Sequence, residues 1–146
     1  MNDEAIEIGV QLAASAGLVL LMTIIHGLGL LGISKVLRLK KDRLEQHSLD
    51  VKALMLLGAL GMSLFALHTI EIWAFAVFYL AVGAIESPSD ALYYSASAYA
   101  TLGRPAEFFP DSWRLIGALE ALVGFVLIGW STAFMVTTMN RLRRSP

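Results

Sequence analysis

Charged side chains are missing from three long stretches of this chain and crowd into the segments between them. Ile8 to Ser34 contains no Asp, Glu, Lys or Arg over 27 residues. Ala53 to Ile85 is interrupted only by Glu71, and Leu115 to Met139 only by Glu120. About 20 apolar residues suffice for a helix to cross a bilayer, so the pattern predicts three transmembrane helices. Between the second and third lies a shorter apolar run. Ser87, Pro88 and Asp90 form a capping-box-like start, followed by a helix from Ala91 to about Tyr99 and a turn at Thr101-Leu-Gly-Arg-Pro105. A dozen residues cannot span the membrane. Backbone at membrane depth is tolerated only inside protein or along a water-filled cavity, so a half-helix that dips in and returns is expected. The alternative is a surface helix with Leu92, Tyr93, Ala96 and Tyr99 lying on the headgroups.

Composition narrows the class. The 146 residues are 57% hydrophobic and 16% charged, against about 25% charged for a soluble domain, which marks a membrane protein. The absence of cysteine excludes disulfides, thiolate metal sites and thiol nucleophiles. No nucleophile–base arrangement, phosphate-binding glycine loop or nucleic-acid patch is visible, so no enzymatic activity, cofactor or nucleic-acid partner is expected. The acidic start, Met1 to Glu7, lacks the basic region of a cleavable signal peptide.

Charge placement predicts orientation. Lys35 to Arg43 holds five basic residues, Lys52 follows, and Arg141, Arg143 and Arg144 lie at the other end. Asp3, Glu4, Glu7, Glu86, Asp90, Glu107 and Asp111 face only Arg104 and Arg114 on the opposite side of a three-span arrangement. The positive-inside rule then predicts an external N-terminus, a cytoplasmic C-terminus and an external short helix. The expected location is the plasma membrane, or the inner membrane of a bacterium. The basic linker reads as a topology signal in preference to a lipid-binding patch.

Four ionisable residues fall inside the spans: His26, His68, Glu71 and Glu120. Such groups are costly in lipid and mark candidate functional sites. His68 and Glu71 share a helix face at i, i+3. His26 lies 18 residues past Ile8 and His68 lies 17 before Ile85, which places both imidazoles about 26 Å from the outer ends. The three residues are candidates for a metal or proton site, or for interhelical hydrogen bonding. On the third span Gly117, Glu120, Gly124, Ser131 and Thr138 fall in one stripe at helical spacing. This stripe reads as cavity lining or as close helix packing.

The run Ala91-Leu-Tyr-Tyr-Ser-Ala-Ser-Ala-Tyr-Ala-Thr-Leu-Gly103, followed by Trp113-Arg-Leu-Ile-Gly-Ala-Leu-Glu-Ala-Leu-Val-Gly124, resembles the pore helix, filter and inner helix of pore-loop potassium channels of the two-transmembrane type. The resemblance covers about residues 68 to 140. It implies an all-α membrane protein with three transmembrane helices, a re-entrant pore helix between the second and third, and a homotetramer around one axis. It also implies a division into an N-terminal helix with its basic linker (1–52) and a pore domain (53–146).

Thr101, Leu102 and Gly103 then correspond to the inner part of a selectivity filter in which backbone carbonyls replace an ion's water. Arg104, Pro105 and Ala106 stand where the family has Tyr-Gly-Asp. Proline fixes φ near −65° where glycine would be free, and four Arg104 side chains would add positive charge at the mouth. Weak or altered selectivity for K+ or Na+ is the expectation. Glu120 is expected to support the filter through the loop backbone or Arg104, Gly124 to act as a gating hinge, and Ser131 and Thr138 to line the cavity. Two rivals stand beside this reading: a non-conducting membrane protein with a His/Glu metal or proton site, and an anion-permeable pore using Arg104.

Overall fold

A computed structural model describes residues 2–43, 49–103 and 113–143. The described residues form four helices, α1 (Asn2–Arg43), α2 (Leu49–Ala81), α3 (Pro88–Tyr99) and α4 (Arg114–Arg143). Within α1, α2 and α4 the stretches Ala5–Leu37, Leu54–Ala81 and Arg114–Asn140 are long and apolar enough to cross a membrane. The chain is an all-α protein whose three long helices fit a multi-pass membrane protein.

Helix α1 runs well past the 27 uncharged residues at both ends because no proline interrupts residues 2 to 43. Helix α2 stops earlier than the apolar run does. Gly83 takes φ +70°; its N–H donates to the Leu80 carbonyl at 3.2 Å, and the Ala84 N–H donates to the Tyr79 carbonyl at 2.9 Å. These two bonds make a Schellman motif, so Val82 to Ile85 form a turn. Helix α3 begins as the cap residues require. Ser87 is extended, its hydroxyl accepts from the Asp90 N–H at 3.4 Å, and Pro88 opens the helix.

Interhelical contacts fix the directions. Gln11 of α1 lies beside Leu115 of α4, its side-chain oxygen accepting the Leu115 N–H at 3.3 Å, and His26 lies beside Ser131. The offset is nearly constant, so α1 and α4 run parallel. Helix α2 runs against both, with Glu71 meeting His26 and Leu67 packed on Gly29. The arginine-bearing ends of α1 and α4 therefore leave the bundle at the same end.

Helix α3 runs antiparallel to α2 and parallel to α4. Tyr94 packs on Gly117, Ser95 on Glu120, and the Tyr99 carbonyl on Gly124. Gly124 and Glu71, both against Tyr99, each lie ten residues inside their helix, counted from Arg114 and Ala81, or about 15 Å at helical rise. Tyr99, Ser95 and Ser97 are buried while Tyr93 is exposed. The face that could have lain on headgroups is thus split, with Tyr99 turned inward.

Two apolar clusters make the core. Met22, Phe75, Tyr79, Ile116, Val123 and Leu127 fill the end that holds α3. Leu30, Leu60, Leu64 and Leu67 fill the other. A polar layer separates them.

Candidate functional site

The polar layer is built by His26 of α1, His68 and Glu71 of α2, and Tyr99 at the last turn of α3. The His26 Nδ1 lies 2.8 Å from Glu71 Oε1, and the His68 Nδ1 lies 3.1 Å from Glu71 Oε2. The Tyr99 hydroxyl donates to Glu71 Oε2 at 2.5 Å and lies 2.8 Å from His68 Nδ1. On the far side of the imidazole, His26 Nε2 is 3.4 Å from the Ser131 hydroxyl, and the Trp130 ring sits 5.2 Å from the His26 ring. His26 and Glu71 are fully buried. The three sequence candidates therefore converge, since one donor atom from each lies within 4.8 Å of the others. A carboxylate facing two imidazoles and a phenol has its lone pairs satisfied without water, as a buried carboxylate requires.

A second polar knot lies nearer the N-terminal end of α4. Glu120, fully buried, accepts the Tyr79 hydroxyl at 2.5 Å and the Ser95 hydroxyl at 2.6 Å. The same Ser95 oxygen lies 2.8 Å from the Ile72 carbonyl. Glu120 thus holds the middle of α3 to α2 and α4 through side-chain hydroxyls; among the described residues no bond to the loop backbone is seen.

Beyond Tyr99 the chain repeats the device that closed α2, with one substitution. The Thr101 N–H donates to the Ala98 carbonyl at 2.8 Å, and the Leu102 N–H to the Ser97 carbonyl at 2.9 Å. This is again a Schellman motif, but the left-handed position belongs to Thr101, at φ +58°. Gly103 follows at φ +71°, so the hand of the backbone alternates across 101, 102 and 103. A β-branched residue in this region is a genuine outlier and costs on the order of 1–3 kcal/mol. Leu102 is exposed, at 79%. Arg104 and Pro105 lie outside the described residues.

On α4 the sequence stripe turns inward. Gly117, Glu120 and Gly124 face α3, and Ser131 is buried against His26. Thr138 is half-buried and returns its hydroxyl to the Phe134 carbonyl at 2.9 Å. Gly124 lies within the unbroken α4, where it lets the Tyr99 carbonyl approach.

Sequence reasoning missed Tyr99, Tyr79 and Ser95 as partners of the two carboxylates. The available signal was stoichiometric: two glutamates inside apolar spans demand donors, and the hydroxyls of the short helix, with Tyr79 near the end of α2, are the nearest unassigned supply. Comparison with protein-family models, with curated proteins and with solved structures finds no match.

Proposed function

We propose that the chain is one subunit of a tetrameric ion channel, in which α3 is a re-entrant pore helix and Thr101, Leu102 and Gly103 line the narrow part of the pore. One observation carries this reading. A twelve-residue helix ends against mid-length residues of α2 and α4, and its cap is a strained threonine where α2 uses glycine. Strain of this kind persists where surrounding structure holds it, and it concentrates at functional sites.

The physics fits monovalent cation passage. The carboxyl end of α3 carries the negative end of its dipole. Along a backbone of constant extended conformation successive residues face alternate sides; a change of hand at every second residue is what brings neighbouring carbonyls to one side, where they replace an ion's hydration. Four copies around an axis would complete the ring. With the basic ends of α1 and α4 in the cytoplasm, the mouth faces outward, and with Arg104 in place of the usual filter residue in the sequence, selectivity between K+ and Na+ is weak.

Flux into proteoliposomes loaded with K+, Na+ or Cl− tests the reading, on the wild type and on Arg104→Ala. Cation flux in the wild type, retained in the variant, is the expected result. Chloride flux lost in the variant would replace it with an anion pore. No flux of any ion would leave the chain a non-conducting membrane protein.

A further inference from the structure

The polar layer contains more ligating chemistry than helix adhesion needs. A single His26–Glu71 bond already ties α1 to α2. His68 stands on the same helix as Glu71 and adds nothing to that link, yet its Nδ1 points at the same carboxylate. Two imidazole nitrogens and one carboxylate, with the Tyr99 hydroxyl beside them, face a common point between α1, α2 and α3.

We infer that His26, His68 and Glu71 form a binding site for a divalent transition-metal ion of the Zn2+ type, with Tyr99 at the fourth position. The inference does not rest on the channel reading, since its readout is the bound metal.

Geometry favours it. A tetrahedral ion with ligands at about 2.0–2.2 Å separates its ligand atoms by about 3.4 Å. The two His–Glu pairs, at 2.8 Å to Oε1 and 3.1 Å to Oε2, need to open slightly, and the widest separation in the trio, within 4.8 Å, needs to close by about 1 Å, a side-chain adjustment on the scale of a rotamer shift. The outer environment fits as well. Metal on His26 Nδ1 requires the proton on Nε2, and the atom facing Nε2 is the Ser131 hydroxyl oxygen, an acceptor. A metal-bound imidazole commonly gives its other N–H to such a partner, which fixes the tautomer. The donor set of two nitrogens and one carboxylate oxygen suits Zn2+, Co2+, Ni2+ or Cu2+, and disfavours Mg2+ and Ca2+. On binding, bonds to the ion replace the hydrogen bonds between Glu71 and the imidazoles, each neutral imidazole keeping its single proton on the nitrogen turned away from the ion.

The test uses the full chain, purified in detergent without a histidine tag, stripped with chelator and titrated with Co2+. The expected result is one Co2+ per chain with the intense visible absorption of tetrahedral cobalt, displaced by equimolar Zn2+ and unaffected by excess Mg2+. Ser131→Ala is expected to weaken binding by about tenfold, and His68→Ala by more than that. His47→Ala, which alters the third histidine, is expected to leave the titration unchanged. Folded wild-type protein that develops no tetrahedral band overturns the site by itself, whatever the variants do. So does a Co2+ affinity that folded His68→Ala leaves undiminished, or a band that Mg2+ displaces.

Discussion

The carbonyl of Tyr99 rests against the backbone of Gly124, so closely that a methyl group on Gly124 would collide with it. This contact seats the end of α3 on α4. It depends on a missing side chain, because the obstructing atoms belong to backbone and cannot rotate away.

Gly124→Ala is therefore expected to destabilise the protein by about 1–3 kcal/mol, the usual cost of overpacking a fitted contact. Thermal unfolding in detergent measures it. Gly58→Ala and Gly61→Ala are the controls, since space is open at both positions and alanine is the better helix former. Their midpoints are expected to hold or rise. An unchanged midpoint for Gly124→Ala would mean that α3 is not seated there.

Thr101→Gly removes the strain at the cap of α3 and makes it like the cap that Gly83 gives α2. Release of left-handed strain, less the entropy glycine adds to the unfolded chain, leaves a gain of up to about 1 kcal/mol. The midpoint is expected to stay level or rise while ion flux falls, the trade expected where a strained residue serves function. A variant both less stable and fully conducting would refute the assignment of Thr101.

Glu120 receives two hydroxyls, from Tyr79 and Ser95. Tyr79→Phe and Ser95→Ala each remove one donor, at about 1–3 kcal/mol when a buried acceptor loses its partner. Because the two share one acceptor, the double variant is expected to deviate from the sum of the singles by at least about 0.5 kcal/mol. A double-mutant cycle read by denaturant unfolding decides it, and strict additivity would separate the pair.

Much of the architecture was legible in the sequence. Spans, polar residues at matched depth and the Ser87-Pro88 start followed from spacing, and the structure places His26, His68 and Glu71 together. The inward face of α1, built from Gln11, Ser15, Met22, His26 and Leu30, was hidden for a physical reason. Lipid is as apolar as a protein core, so exposed Leu20, Leu28 and Leu31 look no different in sequence from buried ones. Helix ends were blurred likewise, since Val82 and Ile85 are apolar but lie beyond Ala81, the last residue of α2, in the turn made by the left-handed Gly83. The seating of Tyr99 on Gly124 is a relation between distant backbones, which no local pattern encodes.

The proposed pore stands or falls on whether water reaches residues 101 to 103 from the outer side of the membrane. The chain has no cysteine, so Leu102→Cys places a single thiol at the exposed turn. A membrane-impermeant cationic thiol reagent applied outside is expected to modify it, faster than a neutral reagent of the same size, and to block cation flux. A thiol that stays unmodified in folded protein, or whose modification leaves flux untouched, would contradict the account.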